Sequence, residues 1–283
     1  MSSATPTERP FDPPELHQAF ADGMAAIRAA ERYITSRKAG WHRKVSKREH
    51  DFVTDLDLEV ERVMRSVLND SDHIGASLVG EEFGGPRDLG SGCYWVMDPI
   101  DGTTNVLRNI PSFTVTLALV VDGRPIIGIV SAPMLKERYS AVVGEGAYVE
   151  TAESRIPLHV SGVTDLAGSL VSINDIYSLS DSGDRQRAGR ITGALAERAL
   201  QIRCHGSIAL DMAWVAAGRL EACLAFSNRP WDVLAGALLV QEAGGCVFDD
   251  EGRPHALSSR LAIGSSPLVR DELVAVLGTA RLG

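Results

Sequence analysis

Apolar residues recur at helical spacing in several segments of the chain. The clearest is the segment that follows Asp55, in which Val60, Val63, Met64 and Val67 share one face. An amphipathic helix produces this pattern, because its period is about 3.6 residues per turn. The same pattern predicts further helices over residues 13–37, 185–200, 206–217, 231–243 and 268–277.

Short apolar runs bounded by glycine or polar residues predict β-strands. They occupy residues 77–79, 94–97, 113–121, 125–131, 138–143, 170–172, 201–203, 220–226, 246–248 and 262–263, with a strand or turn at 51–54. The basic segment 40–50 and the segment 154–161 are predicted to be connecting loops.

The order of these elements predicts the fold class. Hairpins dominate the first half of the chain, whereas strands and helices alternate in the second half. This order favours an α+β fold of layered sheets and helices over a single doubly wound sheet. We expect a flexible tail over residues 1–12, an N-terminal half over 13–155 with most metal-binding motifs, and a C-terminal half over 156–283 with Asp232 and the substrate-contacting residues.

The net charge of the chain indicates which kinds of binding partner to expect. The chain has 283 residues and a formal net charge of −9, with 37 acidic residues against 28 lysines and arginines. Nucleic-acid binding that is independent of sequence needs a basic surface, so we expect no nucleic-acid partner. A small-molecule enzyme fits better, and a phosphorylated substrate would need metal ions as counter-charge. No apolar run is long enough for a membrane span.

The cysteine pattern predicts the compartment. Cys93, Cys204, Cys223 and Cys246 form no C-x-x-C motif, and none has a histidine at metal-binding spacing. Reduced thiols in a cytoplasmic protein are therefore expected, rather than a disulfide framework or a zinc site. The polar segment 1–10 lacks the apolar core of a signal peptide.

The stretch 95–105 contains the strongest candidate for a metal site. Its apolar run is predicted to stop at Asp98 and Asp101, where a proline and a glycine turn the chain. Mg²⁺ prefers hard oxygen ligands, so the two carboxylates could bind neighbouring ions, with the carbonyl of Ile100 directed into the same space. The alternative is that D-P-x-D-G is an ordinary β-turn.

The residues that follow could bind phosphate. The backbone amides of Gly102, Thr103 and Thr104 could surround phosphate oxygens, especially if a helix begins at Thr104. A phosphate bound there would lie next to the carboxylates.

Other acidic residues occupy element ends. Asp57 lies at a predicted helix start, where an acid also suits the helix dipole. Glu81 and Glu82 lie between a short strand and a glycine pair, where a solvated loop is the alternative interpretation. Asp232 follows Trp231 at another helix start. Each position alone has a structural explanation, so only the positions taken together indicate a functional site.

The joint pattern resembles the inositol monophosphatase family of magnesium-dependent, lithium-sensitive phosphomonoesterases. The matching segments, in family order, are 51–57, 80–82, 95–105, 206–210, 231–236 and 242–245. The resemblance implies the layered αβαβα sandwich of the inositol monophosphatase and fructose-1,6-bisphosphatase type. It also implies a homodimer.

The resemblance assigns the metal ligands. Glu81, Asp98 and the Ile100 carbonyl would bind the first Mg²⁺ ion, and Asp98, Asp101 and Asp232 would bind the second. Glu81 would also serve a third, weaker site through waters. Mn²⁺ is a possible substitute, and Li⁺ or Ca²⁺ is expected to inhibit.

The resemblance also assigns residues around the reacting groups. Asp57 and Thr103 would orient the attacking water, with Glu82 close by. The expected phosphate and substrate contacts are Asp101, Gly102, Thr103, Thr104, Ser207 and Asp232, with Lys47 and Arg229 as further candidates. A surface arginine is the alternative for Arg229.

The expected mechanism is direct attack of a metal-activated water on phosphorus, without a covalent enzyme intermediate. No cysteine or histidine lies in a convincing nucleophile motif. His205 is interpreted as a structural residue, because it is a lone histidine beside a helix start.

One departure from the family pattern concerns the substrate. Ala225 stands where members that prefer inositol phosphate often carry a hydroxyl-binding glutamate, and Ile208 occupies a place that is often smaller. The leading hypothesis is a phosphatase for a sugar alcohol phosphate such as inositol 1-phosphate. Histidinol phosphate, fructose 1,6-bisphosphate and a 3'-phosphoadenosine nucleotide are alternative substrates. A regulatory binding protein without catalysis is an alternative of another class.

Overall fold

The computed structural model describes residues 11–36, 44–48, 51–71, 73–179 and 181–279. Its helices are α1 (Pro13–Ser36), α2 (Asp55–Ser71), α3 (Thr103–Leu107), α4 (Ser182–Ala196), α5 (Ile208–Ala216), α6 (Pro230–Glu242) and α7 (Arg270–Thr279). Each helix predicted from apolar periodicity is confirmed, with ends that differ by a few residues. For example, α4 begins before residue 185, because the Asp181 side chain accepts hydrogen bonds from the first free amides of the helix.

The strands form three sheets. They are β1 (Lys44–Arg48), β2 (Asp51–Thr54), β3 (Ser77–Gly80), β4 (Cys93–Asp101), β5 (Thr114–Val121), β6 (Arg124–Ala132), β7 (Glu137–Val142), β8 (Ala147–Glu150), β9 (Arg155–Pro157), β10 (Leu170–Asn174), β11 (Gln201–Arg203), β12 (Ala222–Ala225), β13 (Cys246–Phe248) and β14 (Ala262–Ser265). A seven-stranded sheet runs in the order β3-β4-β5-β6-β7-β8-β9, and a five-stranded sheet runs in the order β11-β10-β12-β14-β13. In the first, only β3 and β4 are parallel.

The helices and sheets stack in five layers. Helices α1 and α2 pack on one face of the seven-stranded sheet, whose strand β4 turns Trp95 and Met97 toward them. The alternate residue Val96 faces α5 and α6, which lie between the two large sheets. Helices α4 and α7 cover the outer face of the five-stranded sheet. The predicted layered αβαβα sandwich is therefore confirmed.

Glycines allow the central layer to pack closely. A Cβ atom on Gly128 of β6 would lie 2.6 Å from the carbonyl oxygen of Ala235 in α6. A Cβ atom on Gly236 would lie 2.6 Å from the Cβ of Met212 in α5. Both distances are below normal contact, so α6 approaches the sheet and its neighbouring helix only because these side chains are absent.

Several expectations about loops were wrong. Residues 44–48 form β1, which pairs antiparallel with β2, so the basic segment is not all loop; residues 40–43 and 49–50 lie outside the described ranges. The segment 154–161 contains β9, which pairs with β8 and extends the first sheet past residue 155. These strands are short and polar, so their backbone pairing leaves no apolar run in the sequence.

The end of one strand also differs from expectation. Strand β4 does not stop at residue 97 but continues to Asp101, with a register irregularity between Asp98 and Asp101 that accommodates the proline.

At the expected tail, residues 1–10 lie outside the described ranges, and Phe11 packs against the α1 and α2 core. None of the helices in the described ranges combines the length and the apolar character that a membrane crossing requires.

Candidate active site

A cavity of about 320 Å³ opens where β4, α3 and α6 meet the ends of β10 and β11. Its lining residues are Glu81, Asp98, Ile100, Asp101, Gly102, Thr103, Thr104, Asn105, Ile173, Asn174, Asp175, Tyr177, Cys204, His205, Gly206, Arg229 and Asp232. Most of the acidic and turn residues singled out in the sequence therefore share one cavity.

Three acidic side chains converge in this cavity and are called here the carboxylate cluster: Glu81, Asp98 and Asp232. Each offers a carboxylate oxygen, and these oxygens all lie within 4.8 Å of one another. Glu81 follows β3 and Asp98 lies in the parallel neighbour β4, so strand pairing brings the two together. Asp232 lies in the first turn of α6.

Thr116 of β5 joins the strand and the helix that carry the cluster. Its hydroxyl donates to the carbonyl oxygen of Trp231 at 2.8 Å and accepts from the amide of Asp98 at 3.2 Å. The side chain of Asp98 also accepts from the amide of Ile100 at 2.8 Å. These bonds fix Asp98 relative to the helix that presents Asp232.

The electrostatics of the carboxylate cluster are unfavourable without a cation. Burial raises the pKa of Asp98 well above its usual range, and the charges of Glu81, Asp232 and Asp101 raise it further. Burial likewise raises the pKa of Asp232, with Asp101 and Glu81 contributing. A divalent cation between these oxygens would offset the repulsion, and hard carboxylate oxygens are the ligands that Mg²⁺ prefers. The donor set therefore fits a magnesium site.

Asp101 lies beside the cluster and is tied to α5. One of its carboxylate oxygens accepts from the Ser207 hydroxyl and from the Ala209 amide, both at 2.7 Å. Burial raises the pKa of Asp101 to about 7, against the lowering effect of these hydrogen bonds. Ser207, expected at the substrate, is buried behind Asp101 and does not line the cavity.

Thr103 connects the cavity to a buried acid. Its hydroxyl donates to Asp57 at 2.9 Å, and the other oxygen of Asp57 accepts from the amide and the hydroxyl of Thr54. Asp57 is fully buried, and burial raises its pKa while the Thr54 hydrogen bonds lower it. The two residues expected to orient water are thus in direct contact, with Thr103 facing the cavity.

The turn after β4 takes a conformation that favours glycine. Gly102 has a φ of 110°, and a Cβ atom there would lie 3.1 Å from the carbonyl oxygen of Gly206. Helix α3 begins at Thr103, one residue before the expected start, and is only five residues long. The first amides of a helix have no partner within the helix, so those of Thr103 and Thr104 can donate toward the cavity.

The Glu81–Glu82 turn depends on a residue that sequence reasoning missed. Glu61 of α2 is fully buried and accepts from the amides of Glu82 and Phe83 at 2.8 and 3.2 Å. Arg65 donates to the same carboxylate at 2.8 Å. Glu61 thereby holds the turn that presents Glu81. Glu82 itself is half-buried and does not line the cavity.

Another part of the cavity lining also went unrecognised in the sequence, and the interpretation of His205 as a structural residue missed its place there. Four residues of this part form what is called here the polar wall: Asn174, Asp175, Tyr177 and His205. Asn174 ends β10 and His205 follows β11, its parallel neighbour. The carboxyl ends of parallel strands meet at one edge of a sheet and commonly bind ligands. Applied to β10 and β11, that rule could have identified the wall.

The remaining candidates are placed as follows. Arg229 lines the cavity just before α6 and its charge lowers the pKa of Asp232, although burial outweighs it. Ala225 and Ile208 are buried in the core and do not line the cavity. Lys47 lies in β1, and its side chain is outside the part of the chain that the structure describes.

Known proteins are similar to this chain over most of its length. A sequence model described as the inositol monophosphatase family matches residues 15–279. The chain is 33% identical over 270 residues to inositol-1-monophosphatase ImpA of Mycolicibacterium smegmatis, covering 94% of each protein. It is also 33% identical over 256 residues to Nus factor SuhB of Pasteurella multocida, covering 88% of this chain and 92% of that protein.

Solved structures share the fold. The IMPase of Thermotoga maritima superposes with a TM-score of 0.81 at 28% identity, covering 94% of this chain and 98% of that one. SuhB of Mycobacterium tuberculosis superposes with a TM-score of 0.76, also at 28% identity. The similarity therefore spans the cavity and all five layers.

Proposed function

Because this chain belongs to the inositol monophosphatase family, a family of phosphatases, we propose that it hydrolyses a sugar alcohol phosphate of the inositol 1-phosphate type with the help of Mg²⁺. One observation carries the proposal. The carboxylate cluster, whose oxygens lie within 4.8 Å of one another, shares a cavity with the glycine turn and the free amides of α3. Cation ligands and phosphate donors lie side by side there, as hydrolysis of a phosphate ester requires.

Five residues would hold the metal ions. Glu81, Asp98 and the carbonyl of Ile100 would bind one ion, and Asp98, Asp101 and Asp232 would bind the next. When bound, divalent ions supply Lewis-acid activation of water and neutralise charge on the leaving oxygen. The mutual repulsion of these carboxylates supports the assignment, because an idle site has no reason to keep them together.

Thr103 and Asp57 would orient the water that attacks phosphorus. The Thr103 hydroxyl gives its proton to a hydrogen bond with Asp57, so its lone pairs are left to accept from a water in the cavity. Asp57 is buried, which makes it a better proton acceptor than an exposed aspartate. The pair would therefore hold the water and take up its proton. We assign Glu82 a supporting part through the turn that presents Glu81.

The phosphate would be held by the turn that follows β4. The amides of Gly102, Thr103 and Thr104 can donate to its oxygens, and Asp101 and Asp232 lie beside them. Positioning and charge neutralisation contribute most of the catalysis in phosphoryl transfer. No covalent enzyme intermediate is needed in this scheme.

A phosphate-release assay tests the proposed function. The chain would be given inositol 1-phosphate, histidinol phosphate, fructose 1,6-bisphosphate and a 3'-phosphoadenosine nucleotide, each with and without Mg²⁺. We expect the fastest release from inositol 1-phosphate and none without Mg²⁺. If phosphate is released only from one of the other esters, the proposed substrate is wrong but the proposed reaction is supported.

A regulatory binding protein on the same fold is the second candidate. It is favoured by the relative named Nus factor SuhB, which is 33% identical to this chain. The carboxylate cluster favours catalysis over this alternative. Absence of Mg²⁺-dependent release from every ester in the assay would favour the regulatory protein.

The organisation, assembly and location of the chain are further proposals. We assign the phosphate and metal chemistry to the N-terminal half with Asp232, and substrate choice to the C-terminal half. A homodimer follows from the family, and light scattering would test it. The four cysteines are free thiols, which supports a reducing compartment such as the cytoplasm.

A further inference from the structure

His205 lies in the cavity but has no part in the chemistry described above. It follows β11, lines the cavity beside Tyr177 and Asp175, and its side chain is 21% exposed. A histidine that packs only for structure has no need to face a substrate cavity. Its surroundings therefore decide whether it can bind substrate.

A chain of hydrogen bonds fixes which ring nitrogen of His205 carries the proton. The amide of Gly206, which can only donate, is bonded to the side-chain oxygen of Asn174 at 3.2 Å. The Asn174 nitrogen must then donate to Asp211, at 2.7 Å. The other oxygen of Asp211 lies 2.6 Å from Nδ1 of His205. Because an ionised carboxylate only accepts, Nδ1 carries the proton.

The second nitrogen of the ring is an acceptor when the imidazole is neutral. In the neutral imidazole, Nε2 of His205 keeps a lone pair. It has no hydrogen-bond partner among the described residues, and it is not one of their buried unpartnered atoms. The ring packs nearly perpendicular to that of Trp214, with the ring centroids 4.9 Å apart, which limits its rotation. In the neutral imidazole, Nε2 is thus a fixed, accessible acceptor.

His205 is also held at a fixed place relative to the phosphate turn. The side-chain nitrogen of Asn105, in α3, donates to the carbonyl oxygen of His205 at 2.7 Å and to that of Ser112 at 2.6 Å. On the other side, the carbonyl oxygen of Gly206 lies only 3.1 Å from the place that a Cβ atom on Gly102 would take. A phosphate on that turn would therefore have its alcohol portion next to the imidazole.

We propose that His205 determines substrate specificity by accepting, at Nε2, a hydrogen bond from a hydroxyl near the ester carbon of the substrate. The inference rests on the proposed function and deepens it. Asp211 and Asn174 act through His205 as positioning residues. The substrate class is a phosphate ester of a polyhydroxylated alcohol. The buried Ala225 cannot bind hydroxyls, and His205 would supply that contact from another element.

The replacement His205→Asn isolates this contact. An asparagine amide can still donate to Asp211, as Nδ1 does, but it provides no atom at the place of Nε2. We would compare kcat/KM for inositol 1-phosphate and for phenyl phosphate, which has no hydroxyl on its leaving group, both with Mg²⁺. We expect a loss of roughly 10-fold for inositol 1-phosphate and a change below about twofold for phenyl phosphate. Equal losses for both esters, or no loss for either, would overturn the proposal and leave the phosphatase assignment intact.

Nitrogen NMR of the labelled protein gives a second readout that does not depend on turnover. We expect the free protein to show His205 with a proton on Nδ1, and Asp211→Asn to disturb that state. Adding inositol 1-phosphate should shift the Nε2 resonance as it accepts a hydrogen bond. If the chain cleaves neither ester, the proposed function is wrong. The shift of the Nε2 resonance then still tests whether His205 binds the ester. An unmoved resonance at saturating ligand would then overturn the proposed role of His205.

Discussion

The carboxylate cluster and the polar wall line the same cavity but are built in different ways. The cluster places carboxylate oxygens of the half-buried Glu81 and the buried Asp98 and Asp232 within 4.8 Å of one another, and burial and repulsion raise the pKa values of Asp98 and Asp232. At the wall, Asn174 donates to Asp211 of α5, which lies behind the wall and orients His205, and Asp175 accepts from Ser227 at 2.6 Å. The cluster needs an added cation, whereas the wall is oriented by hydrogen bonds within the protein and leaves Nε2 of His205 accessible to a ligand. This difference suggests that the cluster serves the reaction and the wall serves the choice of substrate.

The largest effect is expected from the cluster. Asp98→Asn keeps the shape of the side chain and removes one charged ligand. We expect Mg²⁺-dependent phosphate release from inositol 1-phosphate to fall by about 10³-fold, because several kcal/mol of charge stabilisation are lost. Asp271→Asn is the matched control, since Asp271 is an exposed acid at the start of α7. Similar rates for the two variants would contradict the role of the cluster.

A smaller loss of activity is expected when the water-orienting pair, Thr103 and Asp57, is disrupted. Thr103→Val keeps the volume but removes the hydroxyl that joins Asp57 to the cavity. We predict that kcat falls roughly 10²-fold, a typical contribution of a positioned proton acceptor, while KM changes little. The control Thr151→Val removes a hydroxyl from an exposed turn. A change confined to KM would show that Thr103 only binds substrate.

The turn after β4 contains Gly102, for which Gly75, in the loop before β3, is a matched control. Gly102 and Gly75 both have positive φ values, 110° and 65°, but only Gly102 has atoms near its missing side chain. Each Ala variant should lose about 1–2 kcal/mol of unfolding free energy, measured in urea. Gly102→Ala should also lose activity, because its Cβ presses on the Gly206 carbonyl and displaces the wall. Unchanged kcat/KM in Gly102→Ala would show that cluster and wall are not linked through this turn.

The smallest effect concerns the loop that supports Arg229. His255 contacts the side-chain oxygen of Asn228 at 2.7 Å, and burial lowers the pKa of His255 below its ordinary 6.5. The unfolded chain therefore binds the proton at a higher pH than the folded chain does. The contribution of His255 to the free energy of unfolding is therefore fully present above pH about 6.5. At lower pH this contribution decreases, by at most about 1.4 kcal/mol per pH unit. Between pH 7.5 and 5, the free energy of unfolding measured in urea should fall less for His255→Gln than for the natural chain. Identical slopes would contradict the assignment.

The cluster was largely predictable from sequence because its signals are local. Within 95–105 the apolar strand, the two acids and the glycine are contiguous, and Asp57, Glu81 and Asp232 sit at element ends where acids are noticeable. The continuation of β4 to Asp101 was missed, since a proline after Asp98 suggests a stop, whereas a strand irregularity accommodates it.

The wall was not predictable by the same means. His205 gains its importance from Asp211, which lies in the next helix, and from Asn174 in a separate strand. Glu61 is similarly hidden, because on a helical pattern it looks like a solvent-facing acid, yet it is fully buried under the Glu81 turn. These residues are joined by tertiary contacts, and no local pattern marks such contacts.

The most direct test of the central claim is the response of thermal stability to Mg²⁺. If the carboxylate cluster binds the ion, added Mg²⁺ should raise the unfolding midpoint of the natural chain in a concentration-dependent way. Asp232→Asn should unfold at a higher temperature than the natural chain when both are metal-free, because one repelling charge is gone, and should lose most of the Mg²⁺ response. An equal Mg²⁺ response in both proteins would contradict the claim that these carboxylates hold the ion.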